Sequence, residues 1–269
     1  MNPRLQMRVY QAQGIHVLPP FFIFAAIIPQ FYPTHDILWY TRTNLFFLYR
    51  RDCLMSTPNT TQMTCPKCST TFDIEQYNVI NAQTQPELRE KLLNGSMFLQ
   101  TCPRCGTHMH AAYTCVYSND EKKFLVSFQP SMDKPAVTPL MPQYKLRLER
   151  TLAGFLERIR ILEAELDDVT IEMVKYLVTA QLTRQFPNKT ITRLLFVSAD
   201  NENVFFQYDD NNPAEQIQIP LATIWRYEDR LTSSGFRPNV TGYLTVDSQF
   251  VRNSGILRCL APQTPQNSD

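Results

Sequence analysis

Glycine is scarce in this chain, at 7 of 269 residues. No G-x-G-x-x-G or Walker-type run occurs, which excludes a glycine loop cradling phosphate. Histidine is scarcer still, at 4, and only His108 and His110 follow residue 55. A Ser-His or Cys-His triad is therefore poorly supplied, and a histidine-rich catalytic metal centre lacks ligands. Neither G-x-S-x-G nor H-E-x-x-H is present. Charge of one sign is also missing: 26 Lys+Arg stand against 25 Asp+Glu, a net +1. Bulk charge thus gives no argument for nucleic acid or an anionic membrane. What remains, 43% hydrophobic with 19% charged residues, is ordinary for a globular chain and excludes a wholly disordered or collagen-like one.

The averages conceal a break near residue 55. Residues 1–54 hold 11 of the 31 aromatics, five arginines and only Asp36 and Asp52, a net +3 that leaves −2 for the other 215 residues. The apolar run at 15–28 is interrupted by Pro19 and Pro20 and closed by Pro29. Its uninterrupted part falls short of the ~20 residues of a spanning helix. Three readings compete: a signal peptide or membrane anchor, a hydrophobic arm on a partner, and an over-extended start with Met55 as initiator. The last is favoured, and residues 1–54 are set aside as a doubtful extension or leader.

Chemistry concentrates in cysteine. Of seven cysteines, four form two C-P-x-C knuckles with matching flanks, TCPKCST at 64–70 and TCPRCGT at 101–107. Two residues between thiols let a tight turn aim both sulfurs at one ion, and two knuckles complete a tetrahedral sulfur shell that suits zinc. Proline after each first cysteine fixes φ. Gly106 supplies the positive φ by which the chain leaves the second knuckle. Redox chemistry is the competitor, but a redox pair needs no duplicate, and both knuckles lie among β-favouring residues rather than at a helix start. The expectation is one structural Zn2+ held by Cys65, Cys68, Cys102 and Cys105, with no open position for catalysis. Cys115 and Cys259 read as small buried apolar residues. His108 and His110, two apart on a strand, share a face; a solvent-side position outweighs a second metal or acid/base site.

The 33 residues between the knuckles read as a structured insertion, because PELREKLLNG at 86–95 has a helix-starting proline and an Asn-Gly stop. KFLVSF and YKLRLE read as strands on either side of a proline-rich linker at 130–142. From Thr151 apolar residues recur at helical spacing, with Glu157, Arg158 and Glu163 on the opposite face. Asp167-Asp168 caps a second helix, with Glu172 and Lys175 facing water. After Pro187 the pattern turns to strands ITRLLFVSA, NVFFQYD and EQIQIP, then an amphipathic helix LATIWRYEDRL and a last strand TGYLTVDSQFV. The Asp209, Asp210, Asn211, Asn212 run reads as a solvated turn rather than a calcium loop.

These residues resemble the CpXC domain proteins of bacteria and archaea. The resemblance rests on CPKC at 65–68, ELREKLLNGSMF at 87–98, CPRCG at 102–106, FLVSFQP ending near 130, and RIRILEAELDDVTIEMVK at 158–175. It covers 62–185 well, 190–255 loosely and 1–54 not at all. It implies that Cys65, Cys68, Cys102 and Cys105 are metal ligands, and it supplies no catalytic residue.

The expected class is α+β: a zinc-ribbon-like β module with a helical insertion, then a helical hairpin and a small antiparallel sheet. The expected divisions are 1–54, a CpXC domain at 55–142, an α+β region at 143–260 and a disordered tail at 261–269. The expected function is a bacterial, cytoplasmic, zinc-stabilised interaction module with a protein partner, and not an enzyme. Nucleic-acid binding is the alternative, though Lys67, Arg89, Lys91 and Arg104 are balanced by Asp73, Glu75, Glu87 and Glu90. A thiol redox sensor, or an enzyme using Asp167, Asp168 and Glu172 with His108 or His110, ranks lower. No membrane partner is expected unless residues 1–54 are genuine.

Overall fold

The computed structural model describes residues 58–131, 143–188, 191, 193–208, 216–238 and 242–260. The leader, most of the proline-rich linker, the Asp209–Asn212 turn and the polar tail lie outside the described residues. The described fold is mixed α+β, with several small sheets and a few helices.

Two short antiparallel hairpins carry the knuckles. Strands β1 (Asn59–Thr64) and β2 (Thr71–Gln76) pair with Thr64 opposite Thr71. Strands β4 (Leu99–Thr101) and β5 (His108–His110) pair with Thr101 opposite His108. Between the hairpins run β3 (Val79–Asn81) and helix α1 (Pro86–Leu93), which begins on its proline.

A four-stranded mixed sheet follows in the order β3, β6 (Cys115–Asn119), β7 (Phe124–Phe128), β8 (Lys145–Glu149). Helix α2 (Leu152–Glu163) contacts β7 and β8, and Thr151 caps it by accepting the Gly154 amide. Phe98, which ends the insertion, meets Tyr113, Phe128 and Phe155 at ring-centroid distances of 5.0, 6.2 and 6.2 Å. Full burial of each such ring contributes about 2–3 kcal/mol, so the insertion and α2 share one core with the sheet.

Helices α2 and α3 (Asp168–Gln185) form the expected hairpin. The Leu166 amide reaches the Ile161 carbonyl and the Glu165 amide the Leu162 carbonyl, with Glu165 at φ 57°. That is a Schellman closure with glutamate where glycine is usual. Asp167 then caps α3 by accepting the Thr170 amide at 2.9 Å. An antiparallel sheet of β9 (Leu194–Ala199), β10 (Asn203–Tyr208) and β11 (Gln216–Pro220), with β10 central, and helix α4 (Leu221–Ser233) form a second core with Ile161, Ile171 and Val174.

Two expectations fail here. Glu157, Arg158, Glu172 and Lys175 do not face water; they are 4%, 3%, 7% and 5% exposed. Helix α2 is covered on one side by the four-stranded sheet and on another by β9, so its polar side is interior too. The last strand is likewise absent among the described residues. Leu244 makes only an isolated parallel bridge to Arg147, and residues after Asp247 form helix α5 (Ser248–Asn253). Asp247 accepts the Phe250 amide at 2.7 Å, and this cap overrides the alternating pattern.

Candidate metal centre

Each knuckle is built by the same backbone bonds. The Ser69 amide donates to the Cys65 carbonyl at 2.9 Å and the Cys65 amide to the Thr70 carbonyl at 2.9 Å. In the second knuckle the Gly106 amide reaches the Cys102 carbonyl at 3.0 Å and the Cys102 amide the Thr107 carbonyl at 2.9 Å. The residue after each second cysteine takes positive φ: 56° at Ser69 and 67° at Gly106. The hairpins flanking the turns hold this geometry, and the insertion brings the two turns together.

The four sulfurs of Cys65, Cys68, Cys102 and Cys105 all lie within 4.8 Å of one another. The short approaches cross between knuckles: Cys65 to Cys105 at 3.6 Å and Cys68 to Cys102 at 3.6 Å. In each knuckle the first cysteine is buried and the second half-buried. This cluster can hold a metal ion, and among the described residues it is the one group of histidines, cysteines and carboxylates that converges in this way.

The thiols differ in environment. The Thr107 hydroxyl lies 3.2 Å from Cys105 Sγ and, with the Thr107 amide, pulls that thiol down to about 6. Thr70 stands 3.3 Å from Cys68 Sγ and lowers it in the same direction. Burial pushes Cys102 up to about 11. The hydroxyl donors therefore favour thiolate, the ligand form, at the outer sulfurs. Thr70 and Thr107 were not singled out from the sequence, although the repeated flank T-C-P-x-C-x-T carries the signal.

The other candidates lie apart. His108 and His110 are exposed on one face of β5, and His108 Nδ1 pairs with Thr101 Oγ1 at 2.9 Å. Asp168 is fully buried and held by Arg147 through Nε at 2.5 Å and Nη2 at 2.9 Å. Glu172 pairs with Lys175 at 2.8 Å. Neither carboxylate joins the histidines in a metal-binding group. Cys115 is buried as expected, and burial raises its thiol well above the usual range; Cys259 is half-buried.

Residues 63–175 match the family described as CpXC protein. The segment is a CpXC domain. It takes in both knuckles, the insertion, the four-stranded sheet, α2 and the first turns of α3, so it runs past the linker into the second helix of the hairpin. No curated protein and no solved structure matches the chain. Among the described residues no helix is long and apolar enough to cross a membrane.

Proposed function

We propose that this CpXC domain is a cytoplasmic interaction module, stabilised by one structural zinc and recognising a protein. The observation that carries the reading is the cross-knuckle sulfur spacing of 3.6 Å. Zn–S bonds of about 2.3 Å in a tetrahedron give S···S edges of roughly 3.8 Å, so the cluster closes on zinc with small adjustment. Two knuckles on the turns of two hairpins support a zinc-ribbon-like reading.

Four thiolates fill a tetrahedral shell and leave no position for water or substrate, which supports a structural metal over a catalytic one. The carboxylates of the catalytic alternative are engaged elsewhere, Asp168 by Arg147 and Arg158. Balanced charge over the knuckle region supports protein over nucleic acid, and Arg89 is already occupied by Glu163 at 2.7 Å. On the exposed β4–β5 face Leu99 stands opposite His110. An apolar side chain beside two imidazoles suits a protein surface.

Metal analysis of the purified full chain is expected to find one zinc per molecule, and its chelation to unfold the knuckle hairpins. Affinity purification from native cells is expected to recover a protein partner with wild type and not with Cys102→Ser. Retention of the folded hairpins after complete zinc removal rejects the structural role. Salt-sensitive recovery of nucleic acid in place of protein rejects the partner class.

A further inference from the structure

A cavity of about 500 Å³ opens between the end of β8, the polar side of α2, the middle of α3 and residues 245–248. Small-molecule sites have volumes of this order. Five charged groups on its lining are nearly out of water: Glu149, Glu157, Arg158, Glu172 and Lys175. Buried ion networks add little stability that apolar packing would not supply, so one placed beside a cavity calls for a role.

Both buried bases are committed. Arg158 gives Nε to Glu149 Oε1 at 2.9 Å, Nη1 to Asp168 at 3.3 Å, and Nη2 to the Val246 carbonyl. Lys175 Nζ lies 2.7 Å from Glu157 Oε1 and 2.8 Å from Glu172 Oε2. Glu157 also accepts the Phe196 amide at 2.7 Å and Arg193 at 3.2 Å. Two acceptors are left over. Among the described residues no donor reaches Oε2 of Glu149 or Oε1 of Glu172, although each residue is only 7% exposed.

Among the described residues no fully buried side-chain oxygen or nitrogen lacks a partner, so these two oxygens are not sealed in, and both residues line the cavity. Gly154 makes room for the first of them, since a Cβ there would stand 2.7 Å from Glu149 Oε2. The most buried part of the lining carries three carboxylates and two bases, with Arg193 pairing Glu157 from its edge and Arg150, Arg252 and Asp247 on the rest of the wall. Burial, against the opposing effect of Arg158 and with smaller contributions from Glu157 and Glu172, holds the Glu149 pKa above the usual carboxylate range.

We propose that this cavity binds a small organic cation, an amine- or guanidine-bearing molecule, with Glu149 Oε2 and Glu172 Oε1 as its acceptors. A donor-bearing cation supplies both missing hydrogen bonds to the open carboxylate oxygens, which an anion could not. A bare divalent ion is disfavoured because the carboxylates do not gather at ligand distance among the described residues.

The test is calorimetric titration of the zinc-loaded full chain with putrescine, agmatine, L-lysine and L-arginine, beside a neutral diol matching putrescine in length. At least one cation is expected to saturate at one molecule per chain while the diol does not. Glu149→Gln and Glu172→Gln should each weaken that binding about tenfold or more. Because both sit in the ion network, Ala180→Trp, which fills the cavity wall and leaves every charge in place, is expected to abolish it. Zinc content measured in each variant separates loss of binding from loss of the metal. Absence of saturable binding by all four cations, or affinity unchanged in Ala180→Trp, overturns the proposal.

Discussion

The hydroxyl of Thr107 stands 3.2 Å from Cys105 Sγ, as that of Thr70 stands 3.3 Å from Cys68 Sγ. Neither threonine belongs to the sulfur cluster, yet each lowers the pKa of the thiol beside it. Outer partners of this kind tune affinity by about 10–100-fold. Thr107→Val, which removes the hydroxyl and keeps the shape, should weaken zinc binding at least about tenfold in a chelator competition; unchanged affinity would make the hydrogen bond incidental. A neighbouring pair of positions isolates backbone conformation. Ser69 and Gly106 occupy the same place in the two knuckles at φ 56° and 67°, and a Cβ at Gly106 meets nothing within 4 Å. Gly106→Ala is therefore opposed by φ alone, and should destabilise the zinc-loaded protein by about 1 kcal/mol in denaturant unfolding. The convergence of the four cysteines was legible because their paired spacing suits one shared ion. The threonines were visible only as a repeated flank, since nothing in one copy says where a hydroxyl points.

At the scale of elements, periodicity located the starts of α2 and α3, because Thr151 and Asp167 mark them chemically as well as by pattern, but α3 runs on to Gln185, beyond the stripe that ends at Val178. The same periodicity misassigned their charged sides. A helical stripe identifies an apolar face, but it cannot tell whether a second layer covers the opposite one. The segment 241–251, read as a strand, shows the converse error. Its alternating Tyr243, Thr245 and Asp247 against Leu244 and Val246 imitates a strand, whereas the chain has a single bridge at Leu244 and then turns into α5. The decisive residue is Asp247, whose carboxylate takes the Phe250 amide at 2.7 Å. Losing such a cap costs about 1 kcal/mol. Asp247→Ala should lower stability by that amount and Asp247→Asn by much less. Equal losses in the two variants would assign the effect to charge rather than to capping.

Across the whole molecule, one carboxylate ties the insertion to the body, and no local pattern shows it. Glu163, at the end of α2, receives Arg89 of α1 at 2.7 Å, Asn119 of β6 at 3.0 Å and the Tyr117 hydroxyl. Lys122 stands 3.6 Å from it. Partners 41 to 74 residues away in sequence meet at one side chain, which is why the reading of the chain left Glu163 as a solvent-facing charge. Burial alone would raise its pKa, but hydrogen bonds from Arg89, Tyr117 and Asn119 outweigh burial and bring it down to about 2. An unfolded glutamate titrates near 4.3. A carboxylate with a depressed folded pKa contributes stability that is complete above the unfolded value and disappears as pH falls toward the folded one. Glu163→Gln keeps an acceptor for Tyr117 but loses the ionic bonds, so it should be less stable than wild type by about 1–2 kcal/mol at neutral pH. The gap should hold down to about pH 5 and close progressively towards pH 2. Loss of any metal at the cysteine cluster at low pH would act on both proteins alike, so the difference between their urea unfolding free energies isolates this one group. A gap that stays constant through that range would mean that Glu163 acts by shape.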